Sequence, residues 1–101
     1  MYDGGKQYNS IVHINSMTVG YILISIAPTR EKEVQTALTT IEGITELYSL
    51  FGPYDVIAKV AVENEDRLAE VVLNHIRSID GVADTKTHTV VPIEQMPAKQ
   101  R

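Results

Sequence analysis

Few residues in this chain could do chemistry, and they do not gather at any catalytic spacing. There is no cysteine, which excludes disulfides, thiolate metal sites and cysteine nucleophiles. A metal centre needs three or four ligands. His75, His88 and the scattered carboxylates show no such pattern, and His13 sits in a separate N-terminal stretch. Nucleophilic catalysis needs a hydroxyl beside a base, yet nothing in the spacing around Ser49 or Ser78 nominates one. No glycine-rich phosphate loop is present. The expectation is no catalytic residue, no metal and no cofactor, hence no enzyme.

Two polar groupings remain. The first is Ser49-Leu50-Phe51-Gly52-Pro53-Tyr54-Asp55-Val56-Ile57, where glycine, proline and aspartate stand together between two strand-like runs. Glycine permits unusual backbone angles, proline presets a turn, and aspartate bonds back to nearby amides. The second is Thr85, Thr87 and Thr89, which alternate along a strand and so project on one face. Each has a plain reading, as a hairpin turn and as β-branched strand residues. Together they also describe a site for an amino acid. Asp55 would hold the ammonium, main-chain amides near Gly52 the carboxylate, and the threonine hydroxyls would complete the pocket.

The totals narrow the partners. A chain of 101 residues makes one domain, small enough that association with further copies would help its stability. The formal net charge is −4, the wrong sign for an electrostatic nucleic-acid footprint, and the basic residues are scattered. No apolar run approaches the ~20 residues of a membrane span, and no signal-peptide pattern opens the chain. A cytoplasmic protein without direct nucleic-acid or membrane contact is the expectation.

Ordered pattern begins after Met17, a candidate natural initiator. Residues 1–17 are read as a leader, although Ile11-Val12-His13-Ile14 could pair as a short strand. Thr18 to Ala27 reads as a strand with Ile22, Ile24 and Ile26 on one face and Tyr21, Leu23 and Ser25 on the other. Both faces are largely apolar, so both should be covered. Thr29 is then the expected N-cap of a helix whose stripe is Val34, Ala37, Leu38 and Ile41, stopped by Gly43. Ile44 to Phe51 reads as a strand with Ile44, Glu46, Tyr48 and Leu50 on one face. Val56 to Val62 follows as its hairpin partner.

Asn64 caps a second helix with Leu68, Val71, Val72, His75, Ile76 and Ile79 on its stripe, which makes His75 a core-edge histidine. Gly81 ends that helix, Val82 to Val91 forms the last strand, and Pro92 stops it. Residues 92–101 are read as a polar tail. The second half repeats the first at a constant offset of 38 (Val34 to Val72), with Ile41-Glu42-Gly43-Ile44 over Ile79-Asp80-Gly81-Val82. The order is therefore βαββαβ, an α+β ferredoxin-like fold. Right-handed crossovers place two helices on one face of a four-stranded antiparallel sheet. The uncovered face, with Tyr21 and Leu23, calls for another subunit, as in dimeric α+β barrels.

Residues 18–91 resemble the effector-binding (RAM) domain of the Lrp/AsnC family. The resemblance rests on Phe51-Gly52-Pro53-Tyr54-Asp55 at the hairpin and on Ile79-Asp80-Gly81-Val82 with Thr85-Lys86-Thr87 downstream. It implies face-packed dimers assembled into rings, commonly of eight chains, with a free amino acid bound between dimers. Carried over by motif, the ligand-binding residues are Gly52, Tyr54, Asp55, Thr85 and Thr87. Pro53 removes one backbone donor from the corner, which would alter how a carboxylate is held. Family members typically place a helix-turn-helix before this domain, and the 17 residues here are too few for one. The resemblance thus implies a stand-alone sensing domain that modulates transcription by co-assembly with full-length relatives rather than by binding DNA. Two alternatives share the strand order: a dimeric α+β barrel enzyme, with a roomy apolar cavity beneath its helices, and an ACT-like amino-acid-binding module, with sheets joined side by side.

Overall fold

Alternating isoleucines in the first strand decide where the core lies. In the computed structural model, which describes residues 17–93, strand β1 (Thr18–Ile26) buries Gly20, Ile22, Ile24 and Ile26. The residues between them, Tyr21, Leu23 and Ser25, stand on the opposite face. Helix α1 (Glu31–Leu38), strands β2 (Ile44–Ser49) and β3 (Val56–Val62), helix α2 (Glu65–Glu70) and strand β4 (Val82–Thr89) follow. A π-helical segment, Val71–Ile76, continues α2. The sheet order is β2-β3-β1-β4 with every neighbouring pair antiparallel, the expected βαββαβ arrangement. Val34 and Leu38 of α1, Leu68 of α2 and Val71, Val72 and Ile76 of the π segment join the inward strand residues in one buried cluster. Both helices therefore cover the same side of the sheet.

The internal repeat survives down to single hydrogen bonds. Ile44 N–H donates to Ile41 O at 3.4 Å, and Val82 N–H to Ile79 O at 3.1 Å. Gly43 (φ +104°) and Gly81 (φ +108°) occupy the same left-handed position in the two halves. Each glycine carbonyl then accepts from a neighbouring segment, Gly43 from Ala61 N–H at 2.9 Å and Gly81 from Ala27 N–H at 2.8 Å. Glycine is needed at both for its backbone angle. At Gly81 the space is closed as well, since a Cβ would lie 2.8 Å from Val34 Cγ2.

Six details depart from the sequence reading. Thr29 does not cap α1. Ala27-Pro28-Thr29-Arg30 forms a turn closed by Arg30 N–H to Ala27 O at 3.1 Å, with Thr29 at φ +70°. Proline second and a positive φ third are the marks of a type II turn, in which glycine is the usual third residue. Arg30 holds the cap position without a side-chain cap bond. Helix α1 itself ends at Leu38, and tighter three-residue bonds carry the chain on through Ile41.

Next, β2 shifts register between Ile44 and Glu46. The bulge lets Ile44 and Leu47 both pack on the core, while Glu46 and Tyr48 pair with Lys59 and Ile57 on the far face. A strict alternation puts Ile44 with Glu46, and that fails here. The strand also stops at Ser49, leaving Leu50 and Phe51 in the turn.

His75 is exposed rather than on the buried stripe. Arg77 N–H bonds back five residues to Val72 O at 2.8 Å. This wider π turn advances less per residue than an α-helix, so Ile76 takes the inward place and His75 swings out. Finally, β4 ends at Thr89, although Val90 N–H still reaches Val19 O at 2.8 Å. The possible pairing of Ile11–Ile14 and most of the polar tail fall outside the described residues.

Two substitutions test the turns. Thr29→Gly should raise stability by about 0.5–1 kcal/mol, because left-handed strain of ~1–2 kcal/mol is relieved against a smaller entropic cost. Gly81→Ala should lose about 2 kcal/mol or more, whereas Gly52→Ala, with open space around its Cβ, should lose less. Urea unfolding midpoints of the three variants check both statements.

Candidate functional site

The β2–β3 corner is held by one aspartate. Leu50 N–H donates to Asp55 O at 2.9 Å and closes the turn; Asp55 N–H donates to Ile24 O at 2.8 Å. Its carboxylate Oδ2 accepts the amide of Ile26 at 2.7 Å. The β1–β3 ladder ends at Ile24 and Val56, so this side chain stands in for the next backbone carbonyl of β3. A half-buried carboxylate is thereby fixed in direction, with its second oxygen making no hydrogen bond to the described residues.

The rest of the corner is open. Gly52 (φ +137°) has nothing within 4 Å of a built Cβ, and Phe51 projects wholly into solvent. Pro53 is exposed and Tyr54 half-buried. Among the described residues, the amides of Gly52 and Tyr54 donate to no main-chain carbonyl outside regular strands and helices.

The threonine row lies elsewhere. Thr85, Thr87 and Thr89 pair with Ile24, Ile22 and Gly20 of β1, which places their side chains on the helix-covered side. There they form one wall of a groove of about 380 Å³ between β4 and the second helix. Its floor includes Leu68, Val72 and Leu73, and Arg77 stands at the Thr85 end, donating from Nη1 to Thr85 Oγ1 at 3.2 Å. Within one chain, then, Gly52, Tyr54 and Asp55 form one locus and Thr85 and Thr87 another. Both flank the same end of β1, but no described cavity contains residues of both. Sequence spacing could not show this, because facing and strand order are tertiary facts. The groove's further residues, Arg77 and Leu73, were missed for the same reason: the π turn that sets their direction leaves no mark in the pattern.

The uncovered face of the sheet carries Tyr21, Leu23, Ile57 and Tyr48, the last 60% exposed. Lys59 Nζ lies 3.6 Å from Glu46 Oε2 on that face. His88 pairs with Tyr21 on the same side, far in sequence register from the exposed His75. Among the described residues no three histidines or carboxylates converge to hold a metal, and no helix is long and apolar enough to cross a membrane.

The described residues form a ferredoxin-like sheet with an open, aspartate-anchored hairpin corner, and the family comparison agrees with that fold. Residues 19–95 match the Lrp/AsnC ligand binding domain, and the chain belongs to that family. It is 30% identical over 90 residues to the HTH-type transcriptional regulator LrpA of Pyrococcus horikoshii, covering 84% of this chain and 62% of the relative. It is 27% identical over 93 residues to the regulator FL11 of Pyrococcus furiosus, covering 89% and 61% respectively. The chain thus spans between about half and two thirds of the curated relatives it matches. Among solved structures, TTHA0845 from Thermus thermophilus superposes with a TM-score of 0.72 at 30% identity, over 76% of this chain and 96% of that one. AsnC of E. coli shares the fold, with a TM-score of 0.74 at 22% identity over 93% of this chain and 70% of that one.

Asp55 can be divided into its two capacities. Asp55→Ala leaves the Ile26 amide without an acceptor and should cost about 1–3 kcal/mol. Asp55→Asn keeps an acceptor oxygen and should cost about 1 kcal/mol or less. Equal losses in urea unfolding would mean that charge, not the hydrogen bond, holds the corner.

Proposed function

We propose that this chain is the amino-acid-sensing part of a transcription-regulatory system and does no chemistry of its own. Its matched relatives are transcriptional regulators, and the matched domain is their ligand-binding one. The observation that carries the reading is Asp55: a carboxylate held in one direction by the Ile26 amide, at an open turn. Such a group suits an α-ammonium, and the amides beside Gly52 suit a carboxylate. Tyr54 borders the same corner. Thr85 and Thr87 would complete the pocket from an adjacent copy, since one chain holds them apart from its own corner. A fold relative from Neisseria meningitidis, NMB0573, was solved as a complex with L-methionine.

Assembly is part of this proposal. Leu23 and Tyr21 lie on a sheet face that no described helix covers, and a second copy packed face to face would bury them. Rings of such dimers, alone or mixed with full-length Lrp/AsnC relatives, would relay effector binding to transcription. Direct DNA contact by this domain runs against its net charge of −4. The enzyme alternative required a roomy apolar cavity beneath the helices. That layer is instead filled by side chains such as Ile22, Ile24, Val60 and Val71, all at 0% exposure.

Isothermal titration of the twenty amino acids tests the reading. Binding of at least one, weakened tenfold or more in Asp55→Asn, is the expected result; no heat from any of them would sink it. Leu23→Glu should reduce the mass measured by sedimentation to that of a monomer, while an unchanged mass would place the interface elsewhere.

A further inference from the structure

The groove between β4 and the second helix holds a cation that has no counter-ion among the described residues. Arg30 is paired with Glu33 and with Asp80 at 3.1 Å, and Arg67 with Glu70 at 2.6 Å. Arg77 has no carboxylate within ion-pair distance among the described residues; its one side-chain bond goes to the neutral Thr85 hydroxyl. Its position comes from an irregularity, the π turn that closes at its own amide. Such turns cost hydrogen-bond regularity and concentrate at functional sites. From Arg77 the groove runs along an apolar floor toward Leu68, walled by hydroxyls at Thr85, Thr87 and Thr89. Its volume of about 380 Å³ lies within the ~300–1,000 Å³ of small-molecule sites.

We propose that this groove is a carboxylate subsite in which Arg77 and Thr85 hold the anion and Leu68, Val72 and Leu73 receive an aliphatic tail. A guanidinium with free donors matches a carboxylate in shape and charge. Within the groove the other charged residue is Glu65, at its opposite end, while Asp84, which lines a small neighbouring cavity with Arg77 and Thr85, pairs with Ser25 on the other face of the sheet. Glu65 opens the second helix and Arg77 follows the end of its π segment, so the two charges stand at opposite ends of that element. The subsite therefore selects an acid group and a hydrocarbon chain and ignores an amine. It also supplies what Pro53 withdraws from the hairpin corner, a donor for carboxylate. The inference shares Thr85 with the pocket proposed above and to that extent rests on that reading, but it gives Asp55 no part, so the two can fail independently.

The test titrates 4-methylpentanoate, L-leucine and 3-methylbutylamine into wild type, Arg77→Leu and Asp55→Asn, with the methyl NMR signals of Leu68, Val72 and Leu73 as reporters. Wild type should bind the acid with shifts at those methyls and should not bind the amine. Arg77→Leu, an exposed position that leaves the core untouched, should weaken acid binding at least tenfold; Asp55→Asn should leave it unchanged. Equal binding of amine and acid, an unaffected Arg77→Leu, or shifts at Leu50 instead of the groove would overturn the proposal. So would no acid binding in wild type. If Asp55→Asn abolishes leucine binding while Arg77→Leu does not, the corner functions and the groove does not. If Leu73→Glu only dissociates an assembly, and no acid binds, the groove is a contact between chains.

Discussion

The structure depends on how β1 is held. It is the only strand bonded to both β3 and β4, and its inward isoleucines lie at the centre of the buried cluster. Its C-terminal end is where two ladders run out, and backbone amides there would be orphaned. Asp55 takes the amide of Ile26 and the carbonyl of Gly81 takes that of Ala27. Those two bonds let the chain leave the sheet into a tight turn without an unsatisfied donor. The hairpin corner and the start of β4 are therefore fixed against the same strand end, on its two sides.

That arrangement gives the proposed ligand a defined place to bind. A carboxylate already bonded through one oxygen cannot rotate away, so its other oxygen is presented in a set direction. The open turn around Gly52 gives access to it. On the other side of β1, the threonine row meets Arg77 across a groove that the second helix leaves uncovered. A sheet face left uncovered by the described helices, an open corner and a groove fit the proposed reporting of small-molecule binding through assembly.

Much of this was legible in the residues, and the failures have a common cause. The fold followed from the repeat at offset 38 and from the helix stops at Gly43 and Gly81, both of which stand at positive φ. The turn role of Gly52 to Asp55 was equally readable. The missed features are each a case of packing overriding local pattern. Threonine occupies a glycine position at Thr29 because Pro28 and the Arg30–Ala27 bond set the turn. The bulge in β2 moves Glu46 out and keeps Leu47 in, since two apolar residues on one edge gain more from the core than a regular ladder gains from its spacing. The π turn puts Ile76 inward and His75 in water for the same reason.

By itself the sequence determined the order of the elements, the two glycine stops, and the apolar faces of β1 and β3. These are local properties, set by side-chain type and backbone angle. Only the tertiary structure decided that Asp55 clamps Ile26, that the threonines face a groove rather than the corner, and that Arg77 joins them. Those facts depend on strand order and helix phase, and both are settled by burial across residues far apart in the chain.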